Sequence, residues 1–111
     1  MKLVRNLLVA GAFAAALAVP AVAATPTLRG SVGPGFSISI TPKTAKAGKV
    51  RIVVADKSAF HNFHLTGPGV NKRTSVSGTG TATWTVTLRR GTYKFVCDPH
   101  ASSMKGSFRV S

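Results

Sequence analysis

Carboxylates are almost missing from this chain. Its 111 residues hold two, Asp56 and Asp98, against fifteen lysines and arginines, for a formal net charge of +13. That scarcity excludes chemistry built on paired carboxylates, such as ordinary glycoside hydrolysis. It also excludes oxygen-rich calcium sites. Cysteine is as scarce: Cys97 stands alone, so no disulfide can form within the chain. After the first two dozen residues there is no amphipathic helical pattern and no internal repeat. What the chain has in quantity is apolar residues, 44% of the total, which excludes a disordered basic tail. The length bounds the protein to one small domain.

The only long apolar run lies at the start. Lys2 and Arg5 precede Leu7 to Val19, Pro20 breaks the run, and Ala21-Val22-Ala23 offers a small-x-small cleavage site. This is the pattern of a secretory signal peptide, and the run is shorter than the ~20 residues that span a bilayer. Residues 1–23 are expected to be a cleaved leader and residues 24–111 the mature domain, periplasmic or extracellular. Losing Lys2 and Arg5 lowers the charge from +13 to +11. A small exported domain without disulfides often needs another staple, and a bound metal is the next candidate.

Residues 24–35, rich in Gly, Pro and Thr, read as a lead-in. Beyond them the pattern is strand-like throughout. Phe36, Ile38 and Ile40 alternate with polar residues, Val50 to Val54 is a β-branched run, and Trp84, Val86 and Leu88 alternate with threonines. Tyr93, Phe95 and Cys97 alternate with Lys94 and Val96, and Phe108 and Val110 close the chain. Gly67-Pro68-Gly69, Gly78-Thr79-Gly80 and Arg90-Gly91 mark turns. Short period-two segments between glycine turns predict an all-β fold, an antiparallel β-sandwich.

The chemistry is concentrated in Cys97-Asp98-Pro99-His100-Ala101-Ser102-Ser103-Met104. A strand delivers Cys97, Pro99 stops its ladder, and thiolate, imidazole and thioether follow within one loop. Upstream lies Phe60-His61-Asn62-Phe63-His64-Leu65. Two imidazoles, one thiolate and a weak thioether are the ligand set of a blue-copper site. A single thiolate suits a zinc finger poorly. If 60–66 is a strand, His61 shares the apolar face of Phe63 and Leu65, with Asn62, His64 and Thr66 opposite, so His61 is preferred over His64 as the ligand.

The run His61-Asn62, with Tyr93-x-Phe95-x-Cys97-x-Pro99-His100-x-x-x-Met104 downstream, resembles the cupredoxins, in particular the plastocyanin, amicyanin and pseudoazurin group. The resemblance covers roughly Phe36 to Val110. It implies a Greek-key β-sandwich holding one type 1 copper ion, with His61, Cys97 and His100 as equatorial ligands and Met104 as the axial one. It also implies that Asn62 ties the two ligand-bearing loops together by hydrogen bonds. His64 has a counterpart in the His-Asn-x-His pattern of amicyanins, where the first histidine is the ligand.

The expected function is one-electron transfer, by a carrier and not an enzyme. The alternatives are a copper-delivery protein of the same fold and a metal-free basic interaction module. A cysteine hydrolase lacks a convincing orienting group or oxyanion hole. The basic surface points to acidic redox partners, such as a cytochrome or an oxidase or dehydrogenase, with anionic membrane surface as a peripheral contact. Nucleic acid is not expected as a partner, since neither a recognition helix nor interleaved stacking aromatics are present. The chain is expected to act as a monomer.

Overall fold

The computed structural model describes residues 24–111; the leader expected over residues 1–23 lies outside them. Among these described residues nine strands follow one another: β1 (Thr27–Val32), β2 (Ile38–Thr41), β3 (Thr44–Ala45), β4 (Gly48–Asp56), β5 (His64–Gly67), β6 (Val70–Arg73), β7 (Gly80–Leu88), β8 (Gly91–Val96) and β9 (Lys105–Val110). Among the described residues one 3-10 turn, Asp98–His100, interrupts them. They form a four-stranded sheet in the order β2-β1-β4-β7 and a five-stranded sheet in the order β3-β9-β8-β5-β6. The fold is all-β, as the alternation predicts.

The sandwich is not wholly antiparallel. β1 runs parallel to β4, with Thr27 opposite Arg51 and Val32 opposite Asp56, and β3 runs parallel to β9. The remaining pairings are antiparallel. The parallel pair exists because residues 24–35 are not a lead-in: they contain β1. Its sequence, Thr-Leu-Arg-Gly-Ser-Val, conceals a strand because the central inward position is Gly30. The ring of Phe63 lies where a side chain at that position would go, 3.0 Å from an ideal Cβ. Leu28, Gly30 and Val32 nonetheless face inward with period two.

Phe36 is a second departure. β2 starts at Ile38, and Phe36 lies in the preceding loop, 75% exposed rather than in the core. Trp84 and Val86 pack against the core without being enclosed by it, because β7 is an edge strand.

The core is built from the inward positions of both sheets. Val50, Ile52 and Val54 of β4, Leu65, Tyr93, Phe95 and Phe108 of the other sheet, and Phe63 on the crossover between them are all 3% exposed or less. Phe63 stacks on Phe95 at 5.5 Å, and Tyr93 on Phe108 at 5.3 Å. Tyr93 also pins two turns: its hydroxyl donates to the Pro68 carbonyl at 2.7 Å and accepts from the Arg89 amide at 2.9 Å. The Phe95 ring abuts Gly106, where a Cβ would meet it at 2.4 Å. A methyl group there must displace a buried aromatic ring. Gly106→Ala is therefore expected to cost about 1–3 kcal/mol, read as a fall of several degrees in the thermal midpoint. An unchanged midpoint would show that the ring yields freely.

Candidate metal centre

Three loops meet at one end of the sandwich. Residues 33–37 join β1 to β2, residues 57–63 cross from the first sheet to the second, and residues 97–104 join β8 to β9. Cys97 follows the last residue of β8, and the 3-10 turn Asp98–His100, with Pro99 at its middle, brings His100 back over it. The His100 amide donates to the Cys97 carbonyl at 2.9 Å, and the Met104 amide to the His100 carbonyl at 2.8 Å. The Cys97 amide donates to the Met104 carbonyl at 3.0 Å, closing the loop on itself.

The other histidine arrives by the crossover. The ladder of β5 begins only at His64, so residues 61–63 are not strand as expected. The inward side of His61, Phe63 and Leu65 is retained, and each is 3% exposed or less. Asn62, expected on the outer side with His64, is instead 1% exposed. It is drawn in by hydrogen bonds. Its side-chain oxygen accepts from the Asp98 amide at 2.8 Å, and its side-chain nitrogen donates to the Asp98 carboxylate at 2.8 Å and to the Thr74 carbonyl at 3.3 Å. Its backbone amide points at Cys97 Sγ, 3.5 Å away. One side chain thus joins the histidine loop to the cysteine loop.

The consequence is a triangle of donor atoms. His61 Nδ1 and His100 Nδ1 each lie 3.6 Å from Cys97 Sγ and 3.2 Å from one another. A metal ion about 2.0 Å from nitrogen and about 2.3 Å from sulfur spaces its ligands roughly 3.3–3.8 Å apart. The triangle fits such an ion, and among the described residues these three form the cluster able to hold one. Cys97 and His61 are buried, and His100 is half-buried. Met104 is 1% exposed and is tied to both Cys97 and His100 through its backbone. A soft thiolate beside two imidazoles suits copper in both oxidation states.

His64 is turned away from this cluster. Its Nδ1 lies 2.8 Å from the Asp98 carboxylate and its Nε2 2.7 Å from the Asn71 side-chain oxygen. It supports the cysteine loop from outside. Burial raises the Asp98 carboxyl, but the hydrogen bonds from Asn62 and His64, with the charges of His64 and Arg73, outweigh this and hold it below its ordinary value of 3.8. Two contributors carried no recognisable signal in the sequence. Asp98 stood between two candidate ligands without an assigned role. Phe36 read as a strand residue, yet its ring lies edge-on against both imidazoles, with centroids 5.2 Å from His61 and 5.1 Å from His100.

Residues 32–111 match the profile of the copper binding proteins of the plastocyanin/azurin family. The chain belongs to that family. The cupredoxin fold is also what the solved structures return. Reduced rusticyanin at 1.9 Å is 24% identical with a TM-score of 0.61, the match covering 82% of each chain. Rusticyanin from Thiobacillus ferrooxidans at 1.27 Å is 24% identical with a TM-score of 0.59, over 78% of this cupredoxin and 77% of that chain. A chain of a heme-copper terminal oxidase dimer is 20% identical with a TM-score of 0.53, over 77% of this chain and 63% of that one. None of the curated proteins matches the sequence.

The depressed Asp98 carboxyl has a pH consequence. A carboxyl whose folded value lies below its unfolded value contributes stability that is present above the unfolded value and lost as pH falls through the folded one. Removing that charge in Asp98→Asn is expected to flatten the loss of stability below about pH 4 in urea unfolding at stepped pH. Parallel acid limbs for the two proteins would exclude the contribution.

Proposed function

We propose that this cupredoxin is an exported, mononuclear type 1 copper protein that carries single electrons between redox partners. The observation that carries the reading is the convergence of His61 Nδ1, Cys97 Sγ and His100 Nδ1 within a chain of the copper-binding family. His61, Cys97 and His100 would hold the ion, with the Met104 thioether as a weak axial ligand. Copper supplies a centre that cycles between Cu(I) and Cu(II).

The remaining work falls to the chain. The Asn62 amide stabilises the negative charge of the thiolate. The Asn62–Asp98 hydrogen bonds keep the two loops from moving apart when that charge changes, which limits rearrangement on electron transfer. His100 is the half-buried ligand and the natural exit for the electron, and Phe36 shields both imidazoles from water. Acidic redox proteins are the proposed partners. Cations lie on both outer sheet faces, Arg29, Lys49 and Arg51 on one and Arg73, Lys94, Lys105 and Arg109 on the other. The same reading places the protein in the periplasm or outside the cell.

The first test is a Cu(II) titration of the mature protein followed by visible absorption and electron paramagnetic resonance. The expected result is an intense blue thiolate-to-copper band with narrow hyperfine splitting, both lost in Cys97→Ser. Colourless binding, or binding of Cu(I) alone, would favour copper delivery instead. No binding would leave a metal-free interaction module.

A second test concerns the partner. Electron transfer to an acidic cytochrome is expected to slow by about tenfold or more as salt rises from about 10 to about 200 mM. A rate independent of ionic strength would remove electrostatic steering from the reading.

A further inference from the structure

Asp56 is one of only two carboxylates in a chain of net charge +13, and it is 4% exposed. An ionised side chain is rarely enclosed unless its oxygens are satisfied. It is not among the converging donors, and among the described residues its carboxylate takes part in no ion pair with a lysine or arginine. Its place in the fold explains what it does. It is the last residue of β4, at the point where the chain leaves the first sheet and begins the crossover that carries His61.

Its two oxygens grip that crossover at both ends. Oδ1 accepts from the Ser58 amide at 3.2 Å, and the Ser58 hydroxyl in turn accepts from the Phe60 amide at 3.0 Å. Oδ2 accepts from the Thr74 hydroxyl at 2.9 Å. The Thr74 hydroxyl oxygen accepts from the Phe63 amide at 2.9 Å, and the Thr74 carbonyl accepts from the Asn62 side chain at 3.3 Å. The Thr74 amide closes the contact by donating to the Phe63 carbonyl at 3.0 Å. His61 thus sits between a residue held by Asp56 directly and two held through Thr74.

The direction of these bonds requires a carboxylate. A hydroxyl that accepts from the Phe63 amide must send its own proton elsewhere, and Asp56 Oδ2 is the acceptor that receives it. The carboxylate thereby sets the hydroxyl rotor and turns a lone pair toward Phe63. An amide in its place could present oxygen to Ser58 only by pointing its NH2 group at Thr74, leaving the hydroxyl proton without that acceptor.

We propose that Asp56 is a positioning residue of the metal centre, acting through the Thr74 hydroxyl to fix the loop that presents His61. The proposal rests on the copper reading above. It is distinct from the Asn62–Asp98 tie between the loops, because it fixes the histidine loop to the first sheet instead.

The test compares wild type with Asp56→Asn, Thr74→Val and Thr74→Ser, copper-loaded and copper-free. Thr74→Ser keeps the hydroxyl and is expected to retain wild-type behaviour. Asp56→Asn and Thr74→Val are expected to shift the reduction potential and the copper hyperfine splitting in the same direction. Their double variant should shift neither further than Thr74→Val alone, because both break one chain of contacts. In the copper-free protein, exchange of the Phe63 amide should accelerate about tenfold on loss of its acceptor, while the Tyr93 amide at the far end keeps its rate.

Wild-type potential and hyperfine splitting in both Asp56→Asn and Thr74→Val would overturn the proposal, as would additive shifts in the double variant. If Asp56→Asn does not fold, the contrast between Thr74→Val and Thr74→Ser decides alone. A wild-type protein without the blue band would sink the copper reading instead, leaving the amide-exchange arm to judge the loop clamp.

Discussion

The hydrogen bonds between Asn62 and Asp98 are what the metal end of this molecule depends on. His61 and Cys97 lie 36 residues apart in the chain, and His61 and His100 lie 39 apart. One histidine stands on a crossover between sheets, whereas the cysteine and the other histidine stand on a loop within one sheet. Core packing alone leaves such loops free to shift. The two bonds at 2.8 Å between Asn62 and Asp98, with the Asn62 amide aimed at the sulfur, convert two loops into one unit. A triangle of donors with sides of 3.2 to 3.6 Å is possible only on such a frame.

The chain's charge takes on meaning from the same region. Both carboxylates of the sequence sit at the metal end, and both are engaged in holding loops. Asp56 joins the first sheet to the histidine loop, and Asp98 joins that loop to the cysteine loop. The cations are spread over the outer faces of the two sheets and the loops, Lys57 at the metal end included. A strongly basic protein thus keeps both side-chain carboxylates engaged as hydrogen-bond acceptors, Asp56 buried and Asp98 at the surface, and its exposed field is strongly positive. Such a surface favours encounter with acidic molecules without specifying which one.

Exposure is distributed just as unevenly. Phe36 and Phe60, the two most exposed large apolar side chains among the described residues, flank the site. Phe36 covers the edges of both imidazoles while leaving its own outer face to solvent. The far end holds the Tyr93–Phe108 stack and the turns it pins, a rigid base beneath a functional rim.

How much of this could be read from the order of residues follows from the range of the forces involved. Period-two alternation is local, so β4, β8 and β9 and their inward residues were legible. The loop from Cys97 to Met104 was legible as well, because its donors lie within eight residues and their chemistry needs no partner to be recognised. Choosing His61 over His64 followed from the same alternation, although residues 61–63 are not strand. What only the tertiary structure decided depends on contacts distant in sequence. β1 was hidden because Gly30 makes room for the Phe63 ring from the distant crossover, and Asn62 turned inward because Asp98 and Thr74 accept its protons. Phe36 left the core because its loop folds over the imidazoles. Residue types and spacing determined which atoms could bind a metal, and the meeting of the histidine and cysteine loops determined that those atoms converge, because only packing across the sandwich brings distant donors within reach of one another.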